Sequence, residues 1–328
     1  MGNKELQFFD PSTGEVMKNS LGYQQVITTL TAVGRKVSEQ KFYELAPADF
    51  LPVVMGNGAY KRQILNWRTY VKGEGFKSGI ISNASNGARL SRVDSAYDSI
   101  NQNVLSYAKA IEYNLFELQE ALMANTLFSL IESRELARRK EWDLGIQETA
   151  FLGMGAETGL LNNSTVTVDT STITKRINTM TADEFNTFAG AVYEAYRSNA
   201  ARTAKPSHFI IPEADFNGLC NFPSATYPVG KTKLEILQDV FRTLTGNSSF
   251  QIKSCAYCDK ANFDATNNRY VLLNYDESSV KMDIPIDYTQ LAAGTVNGFT
   301  WENVAYGSFT GVVAQREKEM LYFGNTAT

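Results

Sequence analysis

Apolar residues recur along this chain in two rhythms, and the stretches that follow neither one are as informative as those that do. The clearest helical spacing lies between Asn114 and Lys140, where Leu118, Leu122, Met123, Leu127, Leu130 and Ile131 fall three and four residues apart and share one broad face. Asn114 followed by Glu117 has the form of a reciprocal N-terminal capping pair. Glu117 and Glu120 sit early in the run, and Arg134, Arg138, Arg139 and Lys140 sit late, the arrangement a helix macrodipole favours. With no Gly or Pro inside it, the spacing predicts one helix over 114–140, a rod of roughly 40 Å. A strict heptad is missing, so a spine crossing a domain, a coiled-coil segment and an ordinary core helix all fit the pattern.

Shorter helical patterns occur at Gln24–Val33, from the capping pair Thr181 and Glu184 through Phe185, Phe188, Ala189, Val192 and Tyr196 to about Asn199, and at Lys231–Leu244, stopped by Gly246. The second rhythm, of period two or continuous apolarity, predicts strands at Gln63–Val71, Val104–Glu112, His208–Pro212, Phe250–Cys255 and Arg269–Asn274. From Val280 onward strands dominate. Val280, Met282, Ile284 and Ile286 alternate, and two β-rich runs follow, Gly298–Phe309 and Thr310–Phe323, with Gly311 between them. Helices and strands interleave from about Thr165 to Asp276, as in a mixed α/β domain.

Two regions follow neither rhythm. Residues 1–50 hold too little apolar area to fold alone and read as an arm that needs another surface. The stretch 51–100 reads as an extended loop. Its strand Gln63–Val71 puts Leu65, Trp67, Thr69 and Val71 on one face and Ile64, Asn66, Arg68 and Tyr70 on the other, and a glycine-punctuated excursion through Gly73, Gly75, Gly79 and Gly87 follows. Trp67, Tyr70 and Phe76 are costly to leave in water, which points to a neighbouring surface that receives them; the plain alternative is a flexible surface loop.

Composition narrows the function classes. The 328 residues suffice for a sizeable core, and 31 basic against 35 acidic side chains give a net charge of -4, which argues against broad attraction to nucleic acid or anionic membrane. No apolar run reaches the ~20 residues of a membrane helix, and MGNKELQFFD lacks the regions of a signal peptide. Three cysteines, Cys220, Cys255 and Cys258, are too few and too odd for a disulfide framework and fit a reducing cytoplasm.

Candidate chemistry is sparse. The single histidine, His208, lies in an apolar strand and reads as a packed residue. Cys255 and Cys258 form one CxxC that could join Cys220 and His208 as a zinc site or act in redox chemistry, yet the other two ligands are isolated and a polar loop follows Cys258. The glycines in TAFLGMGAETGLL, residues 149–161, suggest a phosphate loop, but no helix opens after them to receive the phosphate. No catalytic residue, cofactor site or metal site is predicted.

The order of parts nevertheless resembles a known family. An arm, a long two-stranded loop, a long helix, an α/β insertion and returning strands are similar to the major capsid proteins of tailed bacteriophages, the Hong Kong 97 type fold also found in encapsulin shells. The likeness covers nearly the whole chain. It is most specific at FLGMGAETGLLNN (151–163), at VKMDIPIDYTQL (280–291) and at FTGVVAQREKEMLYFG (309–324), where Arg316 is followed by Glu317 instead of the proline frequent in that family.

The resemblance implies an α+β fold: an N-terminal arm at 1–50, an extended β-ribbon loop at 51–100 draped over a neighbour, and a peripheral domain at 101–164 with its spine helix at 114–140. An axial domain at 165–276 and returning peripheral strands at 277–328 complete it. It further implies a coat subunit that assembles with itself into pentamers and hexamers of an icosahedral shell around double-stranded DNA, without sequence-specific contact. Trp67, Tyr70 and Phe76 would lie at contacts between subunits. Scaffold, portal and decoration proteins are the further partners the family suggests, with any scaffold a separate protein or absent, and the place of action is the virion, assembled in a bacterial host cytoplasm. The alternatives are an encapsulin-like nanocompartment shell and, from another class, a metal-stabilised or redox α/β protein using Cys255 and Cys258.

Overall fold

The computed structural model of the chain describes residues 42–73, 92–123, 130–221, 230–263, 267–295 and 297–325. The expected helix at Gln24–Val33 and most of the arm lie outside them. The chain divides into two units: one holds the described end of Met1–Glu44 with Ala108–Asp143 and Tyr288–Tyr306, the other Leu45–Tyr107, Leu144–Asp287 and Gly307–Thr328.

The larger unit is built on a mixed five-stranded sheet. Its strands are β5 (Val168–Asp169), β6 (His208–Pro212), β7 (Gln251–Cys255), β8 (Asn268–Leu273) and β14 (Met320–Asn325), in the order β5-β14-β8-β6-β7. Two helices, α3 (Ala182–Asn199) and α5 (Lys233–Thr245), supply Phe185, Ala189, Val192, Tyr196, Leu237 and Phe241 to a core shared with Phe209, Ile211, Tyr270, Leu272, Leu321 and Phe323 of the strands. Both helices start where local chemistry tells them to. Thr181 with Glu184 and Thr232 with Glu235 each form a capping box, and α5 ends at Gly246 with φ +64°. A short helix, α4 (Glu213–Leu219), follows β6 without a sequence signal strong enough to predict it.

The final strand departs from expectation. Residues 277–328 were expected to return as one peripheral block, but β14 lies between β5 and β8, in register from Met320↔Leu273 to Asn325↔Asn268. Met320 and Tyr322 are buried on one side and Leu321 and Phe323 on the other, a requirement only an interior strand meets. The α/β region therefore does not close at Asp276.

In the same unit a three-stranded sheet places β9 (Val280–Ile284) between β1 (Val53–Met55), parallel to it, and β13 (Val312–Ala314), antiparallel. Apolar residues alternate along Val280–Ile286, yet every residue of β9, polar positions included, is buried. Lys281 and Asp283, its polar positions, neutralise each other at 3.3 Å.

The smaller unit contains part of β4 (Leu105–Asn114), α1 (Leu115–Met123) and the first part of α2 (Leu130–Leu152), with the strands β10 (Ile286–Gln290), β11 (Gly294–Thr295) and β12 (Thr300–Phe309). The sheet order is β10-β12-β11, with β4 also paired to β12. Asn114 and Glu117 cap α1 reciprocally, as expected: the Glu117 N–H donates to Asn114 Oδ1 at 2.8 Å and the Asn114 N–H to Glu117 Oε2 at 3.3 Å.

The single rod expected over 114–140 is not what forms. Arg134 binds Glu117 at 3.3 Å, whereas a continuous helix would hold residues seventeen apart about 25 Å from each other. Nor does the helix end at Lys140. Its basic cluster, read as complementing a dipole, is instead used sideways: Arg134 pairs with Glu117, Arg139 with Asp143, Lys140 with Glu44, and Arg138 is buried. α2 runs through Gly145, at a cost of about 1 kcal/mol relative to Ala that burial of Ile146, Ala150 and Phe151 outweighs.

Candidate functional site

Two strands, β2 (Gln63–Gly73) and β3 (Val93–Asn103), pair with each other along their whole length, from Gln63↔Asn103 to Gly73↔Val93, and form a two-stranded sheet of their own. β-Branched and aromatic residues make these segments extended, and the register decides what each face carries, because directly opposed residues point to the same side. One face holds the pairs Ile64 and Gln102, Asn66 and Ile100, Arg68 and Asp98, Tyr70 and Ala96, Lys72 and Asp94. The other holds Leu65 and Asn101, Trp67 and Ser99, Thr69 and Tyr97, Val71 and Ser95, Gly73 and Val93.

The root of the ribbon is tied down by polar chemistry. Asn66 donates to Gln102 Oε1 at 2.7 Å, Gln102 donates to the Gly311 carbonyl at 3.1 Å, and Gln315 donates to Asn66 Oδ1 at 3.2 Å. One step further out, Arg68 binds Asp98 across the ribbon at 3.1 Å, and Glu317 at 3.3 Å and the Gln315 carbonyl at 3.2 Å in the last part of the chain.

Of the three residues expected at a contact, Trp67 and Tyr70 are exposed, on opposite faces, and Phe76 lies outside the described residues. Sequence reasoning missed Tyr97 and Val93, which are exposed on the face that Trp67 and Val71 share. The signal was the alternation Val93, Ser95, Tyr97, Ser99 against Asp94, Ala96, Asp98, Ile100, weak because half its apolar positions are serine.

The glycines at 153–159 serve a turn. Gly153 has φ +77°, a Cβ there would meet the Glu157 carbonyl oxygen at 2.3 Å, and one at Gly159 would come within 2.5 Å of the Phe151 carbonyl. The turn folds the chain back onto the end of α2, where Leu160 and Leu161 N–H groups donate to the Ala150 and Phe151 carbonyls. No phosphate cradle results.

The cysteines and histidine do not assemble into a centre. Among the described residues no group of three or more His, Cys, Asp or Glu is arranged to hold a metal ion. Cys220 is exposed, while Cys255 and Cys258 are buried free thiols, and burial followed by the hydrogen bond with Cys255 pushes the Cys258 thiol well above the ordinary range, away from the reactive thiolate. His208 is half-buried, with Nδ1 3.0 Å from Ser207 Oγ and its ring 4.8 Å from that of Tyr275. Desolvation, then Lys253, lowers its pKa to about 4, so it is neutral at pH 7. Among the described residues no helix is long and apolar enough to cross a membrane.

A family model described as "Major capsid protein" matches residues 77–325, most of the chain. The chain belongs to the major capsid protein family. The fold agrees. The capsid of Myoviridae Phage XM1 superimposes with a TM-score of 0.69 at 15% identity, over 90% of this chain and 97% of that one. A structure from Mycobacterium phage Adephagia gives 0.56 at 11% identity over 92% and 97%, and the capsid of the native GTA particle 0.55 at 12% identity over 90% and 96%. A search of curated proteins returned no match. The family makes this a structural component of a capsid, a shell built from many copies, and the mixed helix and sheet fold is that of solved phage capsid proteins.

Proposed function

We propose that the chain is the coat subunit of an icosahedral shell of the Hong Kong 97 type, assembling into pentamers and hexamers around double-stranded DNA. The observation that carries this reading is the β2–β3 ribbon. Among the described residues its strands pair only with each other, it is attached by its root, and it is lined with exposed aromatic and β-branched side chains. In the proposal the ribbon is the extended loop that lies on an adjacent subunit, α2 is the spine of the peripheral domain, and the α/β region with its five-stranded sheet is the axial domain. The net charge of -4 suits a wall that encloses phosphates without adhering to them, so DNA would be held without sequence-specific contact. Assembly would take place in a bacterial host cytoplasm, with scaffold, portal and decoration proteins as the partners such a shell uses.

Electron microscopy of the purified protein tests the proposal. The expected result is closed icosahedral particles with five- and six-fold clusters. A stable monomer under all conditions, with the ribbon folded onto its own subunit, overturns it. Packaged double-stranded DNA supports the phage shell over a nanocompartment, whose particles would contain a cargo enzyme.

A further inference from the structure

The two faces of the ribbon differ in a way that assigns them different partners. The ties of Asn66, Arg68 and Gln102 to the ribbon's own subunit leave from one face, where Ile64, Asn66 and Gln102 are buried; the other face is tied to it at the last root pair, where Asn103 donates to Glu157 Oε1 at 2.9 Å. The same face carries the charges: Arg68 opposite Asp98 and Lys72 opposite Asp94. On the other face every residue is exposed, at 63, 65, 67, 69, 71 and 73 of β2 and at 93, 95, 97, 99, 101 and 103 of β3, and none of the twelve is Asp, Glu, Lys or Arg. Leu65 is 48% exposed, Trp67 65%, Tyr97 67%, Val93 72% and Val71 88%.

A ribbon that faced water on both sides would be expected to carry charge on both, since exposed strands are guarded from association by charged side chains. Here the charges are segregated, and the five apolar residues expose on the order of 500 Å², near the upper limit of the largest patch a monomer usually shows. Exclusion of charge from a flat apolar area is the composition of an interface core. Nucleic acid is a poor occupant for a face without cations. Beyond the root pair Gln63 and Asn103, the described contacts of the ribbon with the chain's own body are made by the opposite face.

We infer that the uncharged face, through Leu65, Trp67, Val71, Val93 and Tyr97, is covered by a second copy of this chain in the shell, while the face bearing Arg68, Tyr70 and Lys72 is turned to the ribbon's own subunit. The inference rests on the reading of the ribbon as the inter-subunit element and adds which side of it makes the contact. The contact is apolar, so high salt leaves assembly intact and sulfate promotes it.

Single aspartates test the assignment: Val71→Asp and Tyr97→Asp on the uncharged face, Tyr70→Asp and Ala96→Asp on the other. Particle yield is read by sedimentation and electron microscopy, and folding of the free subunit by thermal melting. The expected result is a loss of particles of at least about tenfold for the first pair and less than about twofold for the second, a charge buried in an apolar contact being the more costly change, with melting unchanged in all four. The reverse order, or equal losses in all four, overturns the face assignment while keeping the ribbon as the contact element. Parental assembly in all four overturns the inference and the inter-subunit reading of the ribbon together. Hydroxyl-radical labelling of the unmodified chain needs no variant: Trp67 and Tyr97 are expected to lose reactivity on assembly more than Tyr70, and equal reactivity before and after assembly contradicts the inference.

Discussion

The two units of this chain are held together by different physics. In the larger, a five-stranded sheet and two capped helices bury aromatic and aliphatic side chains completely, Phe185, Phe209, Phe241, Tyr270 and Phe323 among them. In the smaller, only Arg138, Trp142, Asn303 and Ala305 are buried among the described residues. Its centre is a guanidinium: Arg138 donates to the Asn303 carbonyl at 2.6 Å, to Asn303 Oδ1 at 2.7 Å and to the Tyr288 hydroxyl at 2.8 Å, with Arg139 over the Tyr288 ring at 4.9 Å. A hydrophobic core is stable wherever it forms. A polar hub instead fixes geometry and contributes little net energy, because each hydrogen bond replaces one to water. The comparison teaches that the larger unit draws its stability from apolar burial, while the smaller one is fixed in shape by a polar hub.

The largest effect that sharpens this contrast comes from the apolar core. Phe241 stacks on Phe250 at 4.9 Å and packs on Phe209 at 5.6 Å, so Phe241→Ala should cost about 3–5 kcal/mol and lower the global melting transition, checked by chemical denaturation. Arg138→Met leaves the carbonyl and amide of Asn303 without their donor and should cost about 2–3 kcal/mol, lost from the smaller unit alone. Hydrogen exchange should then quicken in β12 while β8 stays protected; equal loss in both would break the comparison. Thr232→Ala removes the cap of α5 and should cost about 1 kcal/mol in the same denaturation experiment.

A smaller, pH-dependent effect belongs to His208. Its pKa of about 4 in the folded chain lies below the ordinary 6.5. Above 6.5 the ring is neutral folded or unfolded. As pH falls from 6.5 towards 4 the unfolded chain takes up a proton that the folded one does not, so stability declines across that window and the loss is complete below it. The difference in stability between the parent and His208→Gln, measured from pH 7 to pH 4, should therefore shrink in favour of the variant as pH falls, and a pH-independent difference would contradict it.

How legible these features are in the sequence depends on whether local and long-range forces agree. α3 and α5 were readable because capping residues, helical spacing and burial all point the same way, and β6 and β8 because their apolar runs are short and bounded by polar residues. The break between α1 and α2 was hidden because Arg134, Arg138, Arg139 and Lys140 mimic a helix end while making lateral ion pairs and a buried hub. Gly145 lies inside α2 because packing overrides its low propensity. The place of β14 inside the sheet depends on pairing with β8, far away in sequence from Met320↔Leu273 to Asn325↔Asn268, which no local pattern encodes. The contact elements were half readable: alternation along Gln63–Val71 already puts Trp67 and Val71 on one face and Tyr70 on the other, but only the register of β2 against β3 adds Val93 and Tyr97 to the first.

Hydrogen exchange on the free subunit and on assembled particles tests most directly the claim that the α/β core stands alone while the ribbon is completed by a neighbour. The expected result is slow exchange of β8 and β14 amides in both states, with β2 and β3 exchanging at least about a hundredfold faster in the free subunit than in the particle, as local opening and its suppression require. Ribbon amides as protected in the free subunit as in the particle would contradict it.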